Sequence, residues 1–560
     1  MGGRLMRPVA SGHGGVTWRS ANGVGALALL GLWACAPVRV GPLQWRGGWD
    51  DRTITREAQR LQMVDSRRMD LVLLDTLLAD PDPLLRARTA LAVGQLRAQA
   101  RYGVLRGWLT DPDSAVAATA AFALGIGRDT AAVPALRATV LDATQRGAPT
   151  VAAEAAWALG EIGEPARAAL EEMLRAAGEC PGNGRRPSGQ EAVSPCAMAL
   201  LAAAKLRPVP AGLVIPWLRS AEVSEARAAA YALSRNRSGA AVGPMLAMAG
   251  HADEEVRQHV GRLLVRALVH DTLAVRAREV LETLAKDPSE RVRANAARSL
   301  TTFGPTTRAT VWRLLADSAR NVRVATVDSL HLVFGADEAA WHQAWEADST
   351  QAVRRPLAAL ARRVGVSLPA GAPVPLPTLA GADSQAPRRA LPASWGAIGA
   401  RDRPLADYER LVRQWVRPGA RQPRAVVHTE RGPIVVELLA REAPLVVEAF
   451  LALAEQGWYR DTRFHRVVPN FVVQDGDIAR GSGERLGFAL RESWTRQRHG
   501  RGCLGLATAG PDTGGSQFYF CHSPQPHLDG AYTVFGRIMR GLDAMDAIAQ
   551  GDRMVRVDPR

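Results

Sequence analysis

Between about Asp50 and Val366 the apolar positions recur at helical spacing, and the pattern itself repeats. DPDPLLRARTALAVG begins at Asp80, DPDSAVAATAAFALG at Asp111, DPSERVRANAARSL at Asp287 and DSARNVRVATVDSL at Asp317. The first two starts are 31 residues apart and the last two 30. A period near 31 marks a stack of helical units. In each unit the aspartate reads as a helix N-cap, often with proline at the first helical position, then Val or Leu and Ala on one face. No unit buries such a stripe alone, so neighbours must stack, and the small alanines let helices approach closely. The pattern predicts an all-α solenoid of nine or ten degenerate units over residues 50–366.

The pattern then changes twice. Residues 367–404 are too rich in Pro, Ala and Gly for a packed core and read as a linker. A short amphipathic helix is predicted over 405–417, with either neighbour as a docking surface. From 424 to 560 the chain alternates at period two. AVVHTERGPIVVELL reads as two strands joined at Glu430-Arg431-Gly432. APLVVEAFLALAEQG reads as a helix with Pro444 in its first turn and Val447, Phe450, Leu451 and Ala454 on one face. Gly457 ends it. This second region fits a small antiparallel β-barrel with capping helices.

At 560 residues and 47% hydrophobic, the chain has room for two or more cores. The formal charge is +15, and of 70 Lys+Arg residues all but Lys205 and Lys286 are arginines. Residues 425–560 hold 16 arginines and 16 carboxylates, so the excess charge lies upstream. An arginine recurs after a buried aliphatic position: Arg86, Arg257, Arg293, Arg323 and Arg354. Two readings are open. The arginines form a basic ladder for a ligand, or each bonds the aspartate turn of a neighbouring repeat. The second is the working reading, so nucleic acid is not the expected partner, whereas a protein partner on the solenoid is.

The first residues read as an export signal. Arg4, Arg7 and Arg19 precede the apolar run Val24 to Trp33, which is short for a membrane span. The run ends in LWAC, similar to a bacterial lipoprotein signal with Cys35 as the lipidated residue, so residues 1–35 form the expected signal. The expected location is the periplasm, membrane-anchored through the lipid. In an oxidising compartment Cys180 and Cys196, which flank a Pro/Gly-rich insert, could close a small disulfide loop. Cys503 and Cys521 sit in apparent strands and read as buried thiols.

The candidate chemistry lies in FHRVVPNFVVQDGD, Phe464 to Asp477, which sets Arg466 among apolar residues with Gln474 eight positions on. LATAGPDTGGSQFYF and PHLDGAYTVFG follow. The glycine-rich AGPDTGGSQ lacks the Gly-Lys-Ser/Thr ending of a phosphate cradle, and GGSQF around Ser516 is not a hydrolase elbow. Asp475 and Asp477 read as a polar turn, and Cys521-His522 lacks metal-ligand spacing. An apolar pocket with one fixed guanidinium suits an X–Pro bond. A donor aimed at the prolyl nitrogen stabilises the twisted amide more than either planar state. That chemistry needs no cofactor and no metal.

These three motifs, in this order, resemble the cyclophilin family of peptidyl-prolyl cis–trans isomerases, and the upstream units resemble bacterial HEAT-type repeats. The resemblance implies a closed antiparallel β-barrel and activity on proline-containing polypeptides. It matches Arg466, Phe471 and Gln474 to the catalytic positions. Val472, Tyr519 and Leu528 join Phe471 as walls of the proline pocket, and Gln517 is a second polar side chain. Ala507, Thr508 and Ala509 match the edge where the substrate backbone pairs. His527 and Tyr532 stand where the family often has tryptophan and histidine. Val472, Thr508 and Tyr519 replace a common methionine, asparagine and phenylalanine, which bears on rate and substrate preference. The alternative is a scaffold whose barrel grips proline segments with little turnover.

Overall fold

The computed structural model describes residues 48–175, 194–369, 403–478 and 488–560. The expected signal with Cys35, nearly all of the linker, and Cys180 lie outside them. Described residues from 50 to 366 are helical throughout, in two layers. One layer is a stack of α1 (Asp51–Ser66), α2 (Pro83–Gln95), α3 (Ser114–Gly127), α4 (Pro149–Ile162), α5 (Pro195–Ala203), α6 (Val223–Arg235), α7 (Glu254–Leu263), α8 (Glu290–Thr301), α9 (Arg320–Val327) and α10 (Gln351–Arg363). The helices between them, such as Val133–Gln145 and Asp271–Leu284, form the other layer. Small residues set the spacing. A side chain at Gly94, Gly125 or Gly160 would meet Ala123, Ala158 or Ala202 of the next helix at 2.7–2.8 Å. Cys196, in the first turn of α5, is disulfide-bonded.

The aspartate of each repeat has a different role from the one its position predicts. Asp80, Asp111, Asp287 and Asp317 do not cap a helix. Each accepts the backbone N–H two residues on, at 2.8–2.9 Å, and so closes the turn before it. The residue that follows that turn is the N-cap, for example Asp82 and Asp113. The other oxygen of the turn aspartate faces the preceding repeat. There Arg257 binds Asp287 at 2.7 Å, Arg293 binds Asp317 at 2.8 Å, Arg323 binds Asp348 at 2.6 Å and Arg86 approaches Asp111 at 3.5 Å. The same guanidinium groups donate back to carbonyls of their own turn. Arg354 donates to the Asp348 carbonyl and lies over Trp345. The ladder is an internal brace.

From 424 on the described residues form nine antiparallel strands: β1 (Arg424–Thr429), β2 (Gly432–Leu438), β3 (Thr462–Arg463), β4 (Arg466–Val468), β5 (Val472–Asp475), β6 (Cys503–Leu506), β7 (Phe518–Cys521), β8 (Val534–Arg540) and β9 (Arg553–Pro559). Their order is β3-β9-β1-β2-β8-β6-β7-β5-β4. The sheet curls so far that its two edge strands are successive in the chain, separated only by Phe464 and His465. No ladder joins β3 to β4 among the described residues, so the sheet is a curled half-barrel rather than the closed barrel expected. The first hairpin turns at Glu430-Arg431, and Gly432 already pairs with Thr429. Helix α11 (Leu405–Leu411) precedes the sheet, and α12 (Pro444–Glu455) covers it. Val447, Phe450, Leu451 and Ala454 of α12 are buried as predicted, and Phe450 packs on Tyr459, Phe518 and Phe535.

Helix α11 and its continuation to Val416 lie between the two regions. Tyr408, Val412 and Val416 pack on Ile54, Ala58 and Leu61 of α1, whereas Leu411 and Trp415 enter the core of the sheet region. The sheet region also sits directly against the stacked helices. Arg496 and Arg498 reach Glu154 of α4 at 3.3 and 2.7 Å. Asn470 donates to the Arg291 carbonyl and to Asn295 of α8 at 2.8 and 2.9 Å. Gly530 (φ +71°) lies against the Trp157 ring, which a Cβ there would meet at 2.5 Å. The stacked helices thus seat the chain's own sheet region through contacts at α4 and α8.

Candidate functional site

Strand alternation builds two apolar clusters back to back. Val473, Phe518, Phe520, Leu504 and Leu506 point into the core of the curled sheet. Their neighbours Val472, Tyr519, Cys503 and Cys521 point to the other face, where they meet Leu528, Phe471, Ala507 and Tyr532. A period of two forces this split, since successive side chains on a strand leave opposite faces. The second cluster is a slot with a buried floor of Val472, Tyr519 and Leu528 and half-buried sides. Cys503 and Cys521 are free thiols beneath it, and burial raises the Cys521 thiol well above its ordinary range.

The hairpin of β4 and β5 holds the cation at the mouth of the slot. It turns through Asn470 in a left-handed conformation (φ 62°) and sets Arg466 directly opposite Gln474. The Arg466 guanidinium is exposed, lies 5.3 Å above the Phe471 ring and donates to the Gln474 side-chain oxygen at 3.3 Å. Gln474 in turn donates to Gln517 at 2.9 Å. One polar chain thus fixes Arg466, Gln474 and Gln517 along the rim. Ala507 is held by its N–H to the Gln517 carbonyl, 3.0 Å, and Thr508 and Ala509 continue outward from it, Ala509 exposed. His527 stacks on Phe471 with ring centres 5.8 Å apart, and Tyr532 meets Tyr519 edge-on. Phe471, Val472, Ala507, Tyr519, Leu528 and Tyr532 thus share one cluster, with Arg466, Gln474 and Gln517 linked along its side and His527 stacked on Phe471.

Two parts of the site had no signal in the motifs. Behind the slot, the Tyr519 hydroxyl lies 2.9 Å from His499 Nε2, and Nδ1 of that ring lies 2.9 Å from Asp529. The Asp529 carboxylate accepts from Nδ1–H, which leaves Nε2 to accept from the tyrosine. A hydroxyl where the family often has a bare ring is thus satisfied in a buried place. The second part comes from the solenoid. The Tyr231 hydroxyl of α6 lies 3.3 Å from His527 Nδ1. Burial, and then the nearby Arg235 and Arg262, push the His527 imidazole down to about 4, so the ring is neutral at neutral pH. Nearly 300 residues separate Tyr231 from His527, and no local pattern announces such a pairing.

Residues 424–559 match the family described as cyclophilin type peptidyl-prolyl cis-trans isomerase/CLD, and residues 71–147 match HEAT repeats. A peptidyl-prolyl cis-trans isomerase of Helicobacter pylori is 41% identical over 139 residues, which is 24% of this chain and 84% of that protein. The peptidyl-prolyl cis-trans isomerase CYP18-2 of Arabidopsis thaliana is 38% identical, over 23% of this chain and 82% of its own. The peptidyl-prolyl cis-trans isomerase B of Bacillus subtilis is 42% identical, over 22% and 88%.

Proposed function

The chain belongs, through residues 424–559, to the cyclophilin-type peptidyl-prolyl cis–trans isomerases and is such an enzyme, and from that premise we propose how its residues act and where. Rotation about a peptide bond meets a barrier of roughly 18–20 kcal/mol because resonance gives C–N double-bond character. At the twisted state the prolyl nitrogen regains its lone pair. Arg466, aimed across Phe471, donates to that nitrogen and so lowers the twisted state relative to both planar ones. Phe471, Val472, Tyr519 and Leu528 hold the ring. Gln474 and Gln517 keep the guanidinium in place, and the Ala507–Ala509 edge orients the chain.

The observation that carries this reading is the single line Arg466–Gln474–Gln517 along the rim of an apolar slot. A peptide-exchange NMR assay with the full chain tests it. Accelerated cis–trans exchange of an Ala-Pro peptide supports the assignment. Shifted peaks with no acceleration would instead support the scaffold alternative.

We propose further that the chain acts outside the cytoplasm, tethered by a lipid on Cys35. The support is the Arg4–Arg19 cluster, the short apolar run and LWAC. Mass spectrometry of the mature N-terminus tests this: a chain that starts at an unmodified methionine would refute it. The solenoid then serves to present substrate polypeptides to the domain seated on it. Support for that role is the tendency of stacked repeats to use a long face for binding.

A further inference from the structure

A cleft of about 620 Å³ adjoins the proline slot. One wall is the isomerase domain, Pro469 to Phe471 with His527. The other is α6, α7 and α8 of the solenoid. The cleft and the slot share Phe471 and His527, so residues next to a proline held in the slot lie within reach of it.

Its charges do not balance. Two carboxylates line it, and each has a cation of its own: Glu255 lies 3.8 Å from Arg227, and Asp328 is bound by Arg298 at 2.6 Å. Arg235, Arg237 and Arg262 line it as well, and among the described residues none of these three has an ion-pair partner. This contrasts with the repeat ladder, where arginine after arginine is taken up by an aspartate. Arg235 follows Tyr231 by one helical turn, and Tyr231 touches His527. The uncompensated charge therefore stands at the slot's edge and faces solvent.

We propose that this cleft is a second half of the substrate site and that it reads acidic side chains, Asp or Glu, flanking the proline held in the slot. Free guanidinium groups favour carboxylates by charge and by matching fork geometry. A cleft of one sign with protein walls also concentrates substrates of the opposite sign. The proposal rests on the isomerase reading for the position of the proline and goes beyond it in naming the substrate's neighbours.

The test uses the full chain and two matched X–Pro peptides, one with Glu residues flanking the proline and one with Gln in their place. Exchange rates come from NMR and affinities from fluorescence anisotropy. The acidic peptide is expected to bind about tenfold more tightly at low salt, with the advantage fading as salt rises. In Arg235→Gln/Arg262→Gln the acidic-to-neutral ratio should fall towards one. In Arg276→Gln/Arg363→Gln, which removes the same charge from exposed positions elsewhere, it should stay high. Equal affinities in the wild type, or the same drop in both double variants, would overturn the proposal. If neither peptide is accelerated the isomerase reading fails, and the affinity ratio still decides the cleft.

Discussion

Tyr231 of the solenoid places its hydroxyl 3.3 Å from Nδ1 of His527, the residue that stacks on Phe471 at the side of the proline slot. The helical array thus touches a side chain that stands beside the proposed proline slot. The same imidazole is held neutral by its surroundings. His527 is depressed to about 4 by burial and by Arg235 and Arg262. A guanidinium keeps its charge over the same range. The rate of isomerisation should therefore be flat from about pH 5.5 to 8, since a lowered imidazole is neutral until well below its ordinary value near 6.5. A step centred near pH 6.5 in the exchange rate would show that His527 is not enclosed this way.

Arg466→Ala should reduce exchange by on the order of 10²–10³, the usual cost of removing one donor aimed at a transition state. Circular dichroism should be unchanged, since the side chain is exposed. Arg466→Lys should recover little, because a single ammonium cannot bind Gln474 and face the nitrogen with the same fixed geometry. An unchanged rate in the alanine variant would remove Arg466 from catalysis.

Tyr519→Phe should cost stability although it matches the ring common in the family. It deletes the donor to His499 and leaves a buried imidazole nitrogen without a partner, a penalty of about 1–3 kcal/mol. His499→Ala should cost more, since it strips both the Tyr519 hydroxyl and one partner of Asp529. Denaturant melts of the two variants compare them. A Tyr519→Phe chain as stable as the parent would mean that the hydroxyl is not held.

Glu154→Gln should loosen the seat between the two regions. Arg496 and Arg498 would lose their shared, buried carboxylate, and breaking such a pair from one side costs on the order of 3–5 kcal/mol. Hydrogen exchange should speed up over residues 488–500 and over α4 while the strands of the sheet stay protected. Uniform protection as in the parent would show that other contacts carry the docking.

Asp475 gives a pH dependence with a definite sign. It is fully buried under the sheet, accepts from Thr462 and from its own neighbour's N–H, and is pushed up to about 7 by burial. The folded chain thus keeps a proton that the unfolded chain releases near pH 4. This group's contribution is complete below about pH 4 and is lost as the pH rises to about 7, amounting to on the order of a few kcal/mol. Asp475→Asn removes the titration while its amide oxygen can still accept from the Gly476 N–H and its NH2 can donate to the Thr462 hydroxyl. Exchange protection of β5 and β7 should fall between pH 4.5 and 7.5 in the parent and not in the variant. Parallel profiles would refute the assignment.

Much of this was legible along the chain because it depends on neighbours in sequence. The period near 31 fixed stacked helices, and Pro444, Phe450 and Gly457 marked a helix and its end. Asp475 reads from the sequence as part of a polar turn with Asp477, but it is the last residue of β5 and buried, because a period of two sends Val472 and Gln474 to one face and Val473 and Asp475 to the other. The repeat aspartate was misread as a cap. Asx turns and N-caps use the same residues, and only the hydrogen-bond partner distinguishes them.

What the tertiary structure alone decided concerns residues far apart in the chain. The arginine ladder was open between ligand and brace until Asp287, Asp317 and Asp348 were found beside it. Tyr519 found its partner in His499, twenty residues away, and His527 found its partner in Tyr231. The sequence carried the chemistry of the slot, because one hairpin and two strands build it. It could not carry the solenoid wall beside the slot, because that wall exists only where two separately formed surfaces pack, and their packing depends on shape and charge rather than on any local period.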